Sequence, residues 1–211
     1  MGQKPLVFGT DPLNEQEAKE HLELGKKYLS ESDLPKAKRI FTAIVDSQSD
    51  SPDNQIVADA LCCLGVIAEA QGDLASAEAR IACALNVYQR SNSTAALIEC
   101  HEILGRIYIA AQKQELAEQT LRSAIALPMS DGQVTIISRI YANLAFIHRS
   151  RNDLREAASL LLKAIQLAKR SADNRLLANH YSALAAISLT QNCISRARIL
   201  LRAAQALMKN S

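Results

Sequence analysis

The chain has 211 residues, 48% hydrophobic and 22% charged, with a formal net charge of +2. That balance suits one globular unit or an elongated array of repeats. No apolar run approaches the roughly 20 residues that span a bilayer, which excludes a membrane-crossing helix.

Seven Gly and five Pro are few for this length, while Ala, Leu, Ile, Glu, Gln and Arg are plentiful. The mixture favours helix throughout. With no Trp and 4% aromatics, packing must rest on aliphatic and alanine contacts.

Residues 1–13 read as a flexible N-terminal segment, in which Pro5 and Pro12 favour extended backbone. Leu6, Val7 and Phe8 are expected to fold back over the helices that follow. An apolar stretch of three residues is too short for a secretory signal. Gly2 does not read as a myristoylation site either, because Leu6 stands where that motif needs Ser or Thr. A cytoplasmic location is the expectation.

From residue 14 onward the chain repeats itself. Leu24-Gly25, Leu64-Gly65, Leu104-Gly105, Leu144-Ala145 and Leu184-Ala185 recur every forty residues. Thirteen residues after each leucine stands an alanine: Ala37, Ala77, Ala117, Ala157 and Ala197. Four further on comes a large apolar residue: Phe41, Ile81, Leu121, Leu161 and Leu201. Five registers agree without an insertion.

Each unit reads as an antiparallel helix pair. The leucine, the small residue and the residue three later share one face of a first helix, and the alanine is the small counterpart on the second. In chain order the predicted pairs are 14–31 with 33–48, 53–71 with 73–91, 93–112 with 114–127, 132–151 with 153–170, and 173–191 with 193–209. The corresponding repeats span about 14–50, 53–91, 93–128, 132–171 and 173–209. Asp33, Asp73 and Asp153 are placed to cap second helices, and Gly72 or Asn152 to end first helices in the left-handed conformation. The third and fifth repeats lack the Asp, so weaker caps are expected there.

The pattern Leu24-Gly25-x-x-Tyr28…Ala37-x-x-x-Phe41 resembles the tetratricopeptide repeat signature over roughly residues 14 to 209. Two features depart from it. The aromatic three residues before the leucine is His21, Leu61, His101, Tyr141 and Tyr181, never Trp, and the period is forty. Long-period repeats of this sort are similar to those of kinesin light chains, mitotic-orientation adaptors and bacterial peptide-sensing regulators. The resemblance implies a single right-handed superhelical solenoid over residues 14–211, with the first helices lining a concave groove for a peptide segment or partner protein.

Carried over by register, the exposed groove positions include Lys26, Glu102, Ile103, Arg106, Arg139, Asn143, Phe146, Arg149, Asn179 and Ala183. Asn143 stands out, because a groove-facing amide both donates and accepts and so suits clamping a ligand's main chain. With Arg106, Arg139 and Arg149 near it, an acidic or carboxylate-bearing partner is expected. The alternative is that these are ordinary solvated residues on helix faces.

No phosphate-cradling glycine loop, HExxH or GxSxG occurs, and an enzyme is not expected. His21, His101 and His148 fall at inter-helix register positions, which suits satisfied core imidazoles. Five cysteines include no CxxC spacing. A metal site from Cys62, Cys83, Cys100 and His101 is conceivable, but reduced structural thiols fit better, so neither metal nor cofactor is expected.

Charge is polarised along the chain. From residue 138 there are twelve Lys or Arg against three Asp or Glu, a surplus of nine, whereas residues 1–137 carry twelve against nineteen. An acidic partner on the basic half, contact between oppositely charged ends of two copies, or nucleic acid could each exploit this. Few aromatics interleave with the arginines, which disfavours nucleic acid. The last helix keeps Ile199, Leu200, Ala203, Leu207 and Met208 available for a neighbour, so self-assembly through this face is the alternative function.

Overall fold

The computed structural model describes residues 13–47 and 54–209. The fold-back expected of Leu6, Val7 and Phe8 lies outside them. Ten α-helices and one short 3-10 turn make up the described secondary structure: α1 (Glu15–Ser30), α2 (Leu34–Ser47), α3 (Gln55–Ala70), α4 (Leu74–Arg90), α5 (Thr94–Ala110), α6 (Gln114–Ala126), α7 (Val134–Ser150), α8 (Leu154–Arg170), α9 (Asn174–Thr190) and α10 (Ile194–Lys209). No strand occurs among the described residues. The fold is all-α, with helix ends within one or two residues of the predicted pairs.

The chain divides into two compact units, residues 1–100 and 101–211, the division falling within α5. In the first unit α1 packs on α2, both pack on α3, and α3 packs on α4. In the second, α6 packs on α7, α7 on α8, α8 on α9 and α9 on α10.

The turns show why the period holds. Ser32, Gly72, Gln112, Asn152 and Asn192 all have positive φ, between 59° and 79°, and end their first helices in the left-handed conformation. In each turn the next residue's N–H closes back onto the helix, as from Asp73 to the Ala68 carbonyl (3.0 Å) and from Lys113 to the Tyr108 carbonyl (2.8 Å). Gly72 and Asn152 behave as predicted, while Ser32 and Gln112 adopt this conformation without a glycine's freedom. Asp33, Asp73 and Asp153 accept from the N–H groups of Lys36, Ser76 and Glu156. Lys113 makes no such side-chain cap. The weak cap predicted for the third repeat is present.

The signature residues form the cores of the hairpins. Ala37, Ala77, Ala117 and Ala157 are fully buried, as are Phe41, Ile81 and Leu121. A Cβ placed on Gly25, Gly65 or Gly105 would come within 2.5 Å of Phe41, 2.5 Å of Ile81 or 2.3 Å of Leu121 respectively. Helix propensity alone favours Ala over Gly by about 1 kcal/mol. The contact wins, because Leu121 is sealed on every side and cannot move without disturbing its neighbours. Gly105→Ala is therefore expected to cost about 1–2 kcal/mol net, read as a lower urea midpoint at unchanged slope. A raised midpoint would mean that Leu121 has room to turn away.

Candidate functional site

Glu102 and Arg106 lie one turn apart on α5, and Arg139, Asn143 and Phe146 follow one another down a face of α7. Those spacings bring the five side chains to one place in the second unit. Arg106 Nη1 donates to Glu102 Oε2 at 3.2 Å, and Asn143 Nδ2 donates to Glu102 Oε1 at 3.4 Å. Arg139 Nε lies 3.5 Å from the same Oε1, near enough for charge attraction but not aligned for a hydrogen bond.

One expectation is corrected here. Glu102, read from the sequence as an exposed groove residue, is fully buried, and Ile103 beside it is also buried. A carboxylate survives without water only when counter-charges and donors replace it. Arg106, Arg139 and Asn143 supply them. The arginine pair expected to receive a partner's carboxylate already holds one from its own chain.

What remains open is the next turn of α7. A cavity of about 300 Å³ is lined by Ile109, Asn143, Phe146, Arg149, Leu161 and Ile187, with Ala142, Ala145 and Ala183 at its walls. Phe146 is 47% exposed. The Arg149 guanidinium stands 5.5 Å from its ring centroid, a cation–π contact that holds the cation at the rim. The site thus offers an apolar floor, a small amide and one positive edge. That combination accommodates an apolar side chain whose own backbone or a neighbouring carboxylate meets Arg149.

The other predicted groove residues lie elsewhere. Lys26, in the first unit, is exposed and pairs with Glu23 at 2.9 Å. Asn179 is exposed on α9 and does not line the cavity. Ile109, Leu161 and Ile187 line its floor and were not predicted. By register Leu161 reads as hairpin core, and the only signal for an opening is the cluster of alanines facing it across α7 and α9.

On α10, Ile199 is 68% exposed, whereas Leu200, Ala203 and Leu207 are half-buried beside the buried Ala197 and Ala204. The basic half is partly answered internally. Arg151 pairs with Glu115 and Glu118, and Arg170 with Asp131.

His180 and Cys100 are buried, whereas Cys83 and Cys193 are exposed, and the His101 imidazole expected to be satisfied has its Nδ1 buried without a hydrogen-bond partner. Ser138 Oγ donates to the Ala164 carbonyl at 2.8 Å and lies 2.9 Å from His180 Nε2, both side chains being buried. The serine proton points at a carbonyl, not at the imidazole, so the pair is not arranged as a nucleophile and its base. Burial pushes the His180 imidazole down to about 4. Cys62 Sγ lies 3.5 Å from Cys100 Sγ as a pair of free thiols. The contact with Cys100, then burial, raises the Cys62 thiol, and burial pushes Cys63 up to about 12. No group of three or more metal-ligating side chains occurs among the described residues. Nor is any helix among them long and apolar enough to cross a membrane.

Comparison with known proteins agrees with this architecture. The family described as the MalT-like TPR region matches residues 48–211. No curated protein matches at a significant level. Among solved structures, BtubC (BKLC) from P. vanneervenii superposes with a TM-score of 0.75 at 16% identity, covering 92% of this chain and 81% of that one. PilF of Pseudomonas aeruginosa gives 0.70 at 18% identity, covering 90% and 75%. MamA from Desulfovibrio magneticus RS-1 gives 0.63 at 14% identity, covering 92% and 96%.

Proposed function

Because the chain belongs to the MalT-like TPR family, we propose that it is a non-catalytic protein-interaction module. It binds a peptide segment or partner protein through the α7 cavity of its second unit. The observation that carries this reading is the half-exposed Phe146 ring under the Arg149 guanidinium, beside an apolar cavity with rigid helical walls. Fixed walls spare the site an ordering cost, so the partner segment alone loses freedom on docking. A side chain filling the cavity removes apolar surface from water, and Arg149 orients the segment by its carbonyl or carboxylate. The buried Glu102 cluster sets the height of the Asn143 amide at the cavity wall, and Arg149 gives the rim one positive charge. That favours a partner with a modest acidic character over a polyanion.

The test compares proteins retained from native lysate by the wild-type chain and by Phe146→Glu with Arg149→Ala. Both positions are accessible, so the fold should survive, as circular dichroism would verify. Direct partners should be lost at least tenfold on the double variant, the factor expected when one anchor of an interface is removed. Equal retention by both proteins would rule the cavity out.

A further inference from the structure

The far side of α10 carries a second surface, distinct from the cavity. Ile194, Arg198, Leu201, Gln205 and Met208 recur at alternating steps of four and three, and so form a single stripe. Ile194 is 56% exposed, Leu201 40% and Met208 54%, and Leu189 at the end of α9 adds a further apolar edge at 52%. Two shallow depressions run along it, of about 380 Å³ beside Leu189, Ile194 and Arg198 and about 590 Å³ beside Ala204, Met208 and Lys209. Leu201 fits the repeat register of Phe41, Ile81, Leu121 and Leu161, each no more than 2% exposed. In the fourth repeat, α8 carries that residue and α9 packs against α8. The stripe is therefore a seam of the kind that takes a helix.

Charge selects which helix. From residue 174 to the end there are five cations, Arg175, Arg196, Arg198, Arg202 and Lys209, and no Asp or Glu. Two α10 stripes placed face to face would set cation against cation with no carboxylate between them. The first helix is unsuited to meet the stripe from another copy. Glu20 and Lys27, both exposed, occupy the register that Ile140 and Ile147, or His180 and Ile187, fill with buried side chains. Stacking α1 there would bury two charges.

We propose that the α10 stripe docks an amphipathic helix of a partner protein, apolar on one side and flanked by Asp or Glu, seated as α9 is on α8. Its apolar side chains cover Ile194, Leu201 and Met208, and its carboxylates meet Arg198, Arg202 and Lys209 at the rim. This surface and the α7 cavity can act together, one taking a segment and the other a helix of the same or another protein.

The probe is the α9 segment Asn174–Thr190 as a labelled peptide with Arg175→Glu, Asn179→Glu and Ser182→Glu, alongside a version with Lys at those three positions. Fluorescence anisotropy with the full chain should show the acidic peptide binding roughly tenfold tighter than the basic one. Arg198→Glu with Arg202→Glu should reverse that order while leaving the circular dichroism spectrum unchanged. Equal affinities, an unreversed order, or no binding of either peptide would overturn the proposal. So would concentration-dependent dimerisation in sedimentation, which would assign the stripe to a second copy. An intact mass well above 23.0 kDa from the native source, with more repeats following, would assign it to the chain itself. None of these outcomes depends on Phe146 or Arg149, so failure here leaves the cavity reading standing.

Discussion

Glu102→Ala is expected to destabilise the protein by about 3 kcal/mol, a larger loss than any exposed ion pair would give. The carboxylate is fully buried, while the Arg106 and Arg139 side chains are 32% and 39% exposed. Deleting the carboxylate removes the buried anion that both guanidinium groups approach, and the Asn143 amide loses its acceptor. Partial solvent access lets the arginines swing outward, which holds the cost at the lower end for a broken buried pair. Glu102→Gln should cost less, because an amide oxygen still accepts from Asn143. Replacing the charges together, as Glu102→Leu with Arg106→Met and Arg139→Leu, should recover most of the loss, since packed apolar groups need no counter-charge. Urea denaturation measures all three. A Glu102→Ala protein as stable as wild type would show that the arginines do not depend on this carboxylate.

Stability should also fall as pH drops from about 6.5 to about 4, by roughly 3 kcal/mol, through His180 alone. Burial holds this imidazole down to about 4, with the nearby Asp173 opposing weakly, whereas an unfolded histidine titrates near 6.5. Between those values the unfolded chain takes up the proton and the folded chain does not. Acid therefore favours unfolding, the contribution is intact above 6.5, and it is lost by the time pH reaches the folded value. Carboxylates add their own acid sensitivity toward the lower end of this range, among them Asp73, held low by its hydrogen bonds with Ser76, and Glu118, where burial pushes up but Arg122 and Arg151 together hold the carboxyl low. The measurement is thus a difference. Thermal midpoints of wild type and His180→Gln are followed over pH, and the variant should show the shallower slope below 6.5. Parallel curves would mean that His180 gains a proton without leaving its place beside Ser138.

The helix pairs could be read from the sequence because each hairpin is a local object. A leucine, a small residue, a turn, an alanine and a large apolar residue lie within twenty residues, and every contact among them follows from helical spacing. The turns were legible where a side chain states its purpose, as with Asp73 or Gly72. Ser32 and Gln112 gave no such sign, because the left-handed turn there is imposed by the two helices it joins.

The site was legible only in part. Asn143, Phe146 and Arg149 were found by register and do line the cavity. Glu102 was misplaced because register says which way a residue faces, not what stands opposite it. Whether an acid on the inner face is solvated depends on side chains nearly forty residues away.

The sequence by itself determined that this is an all-helical repeat of hairpins, since a period of forty with five matching registers admits no other way to bury its apolar faces. Only the tertiary structure decided which polar residues are satisfied inside and which surfaces stay open. Burial is a property of the pair of helices that meet, and α7 supplies the guanidinium and amide that make Glu102 tolerable. On α10 the same logic runs in reverse, where Leu201 keeps the residue type of a buried position but no described helix lies across it.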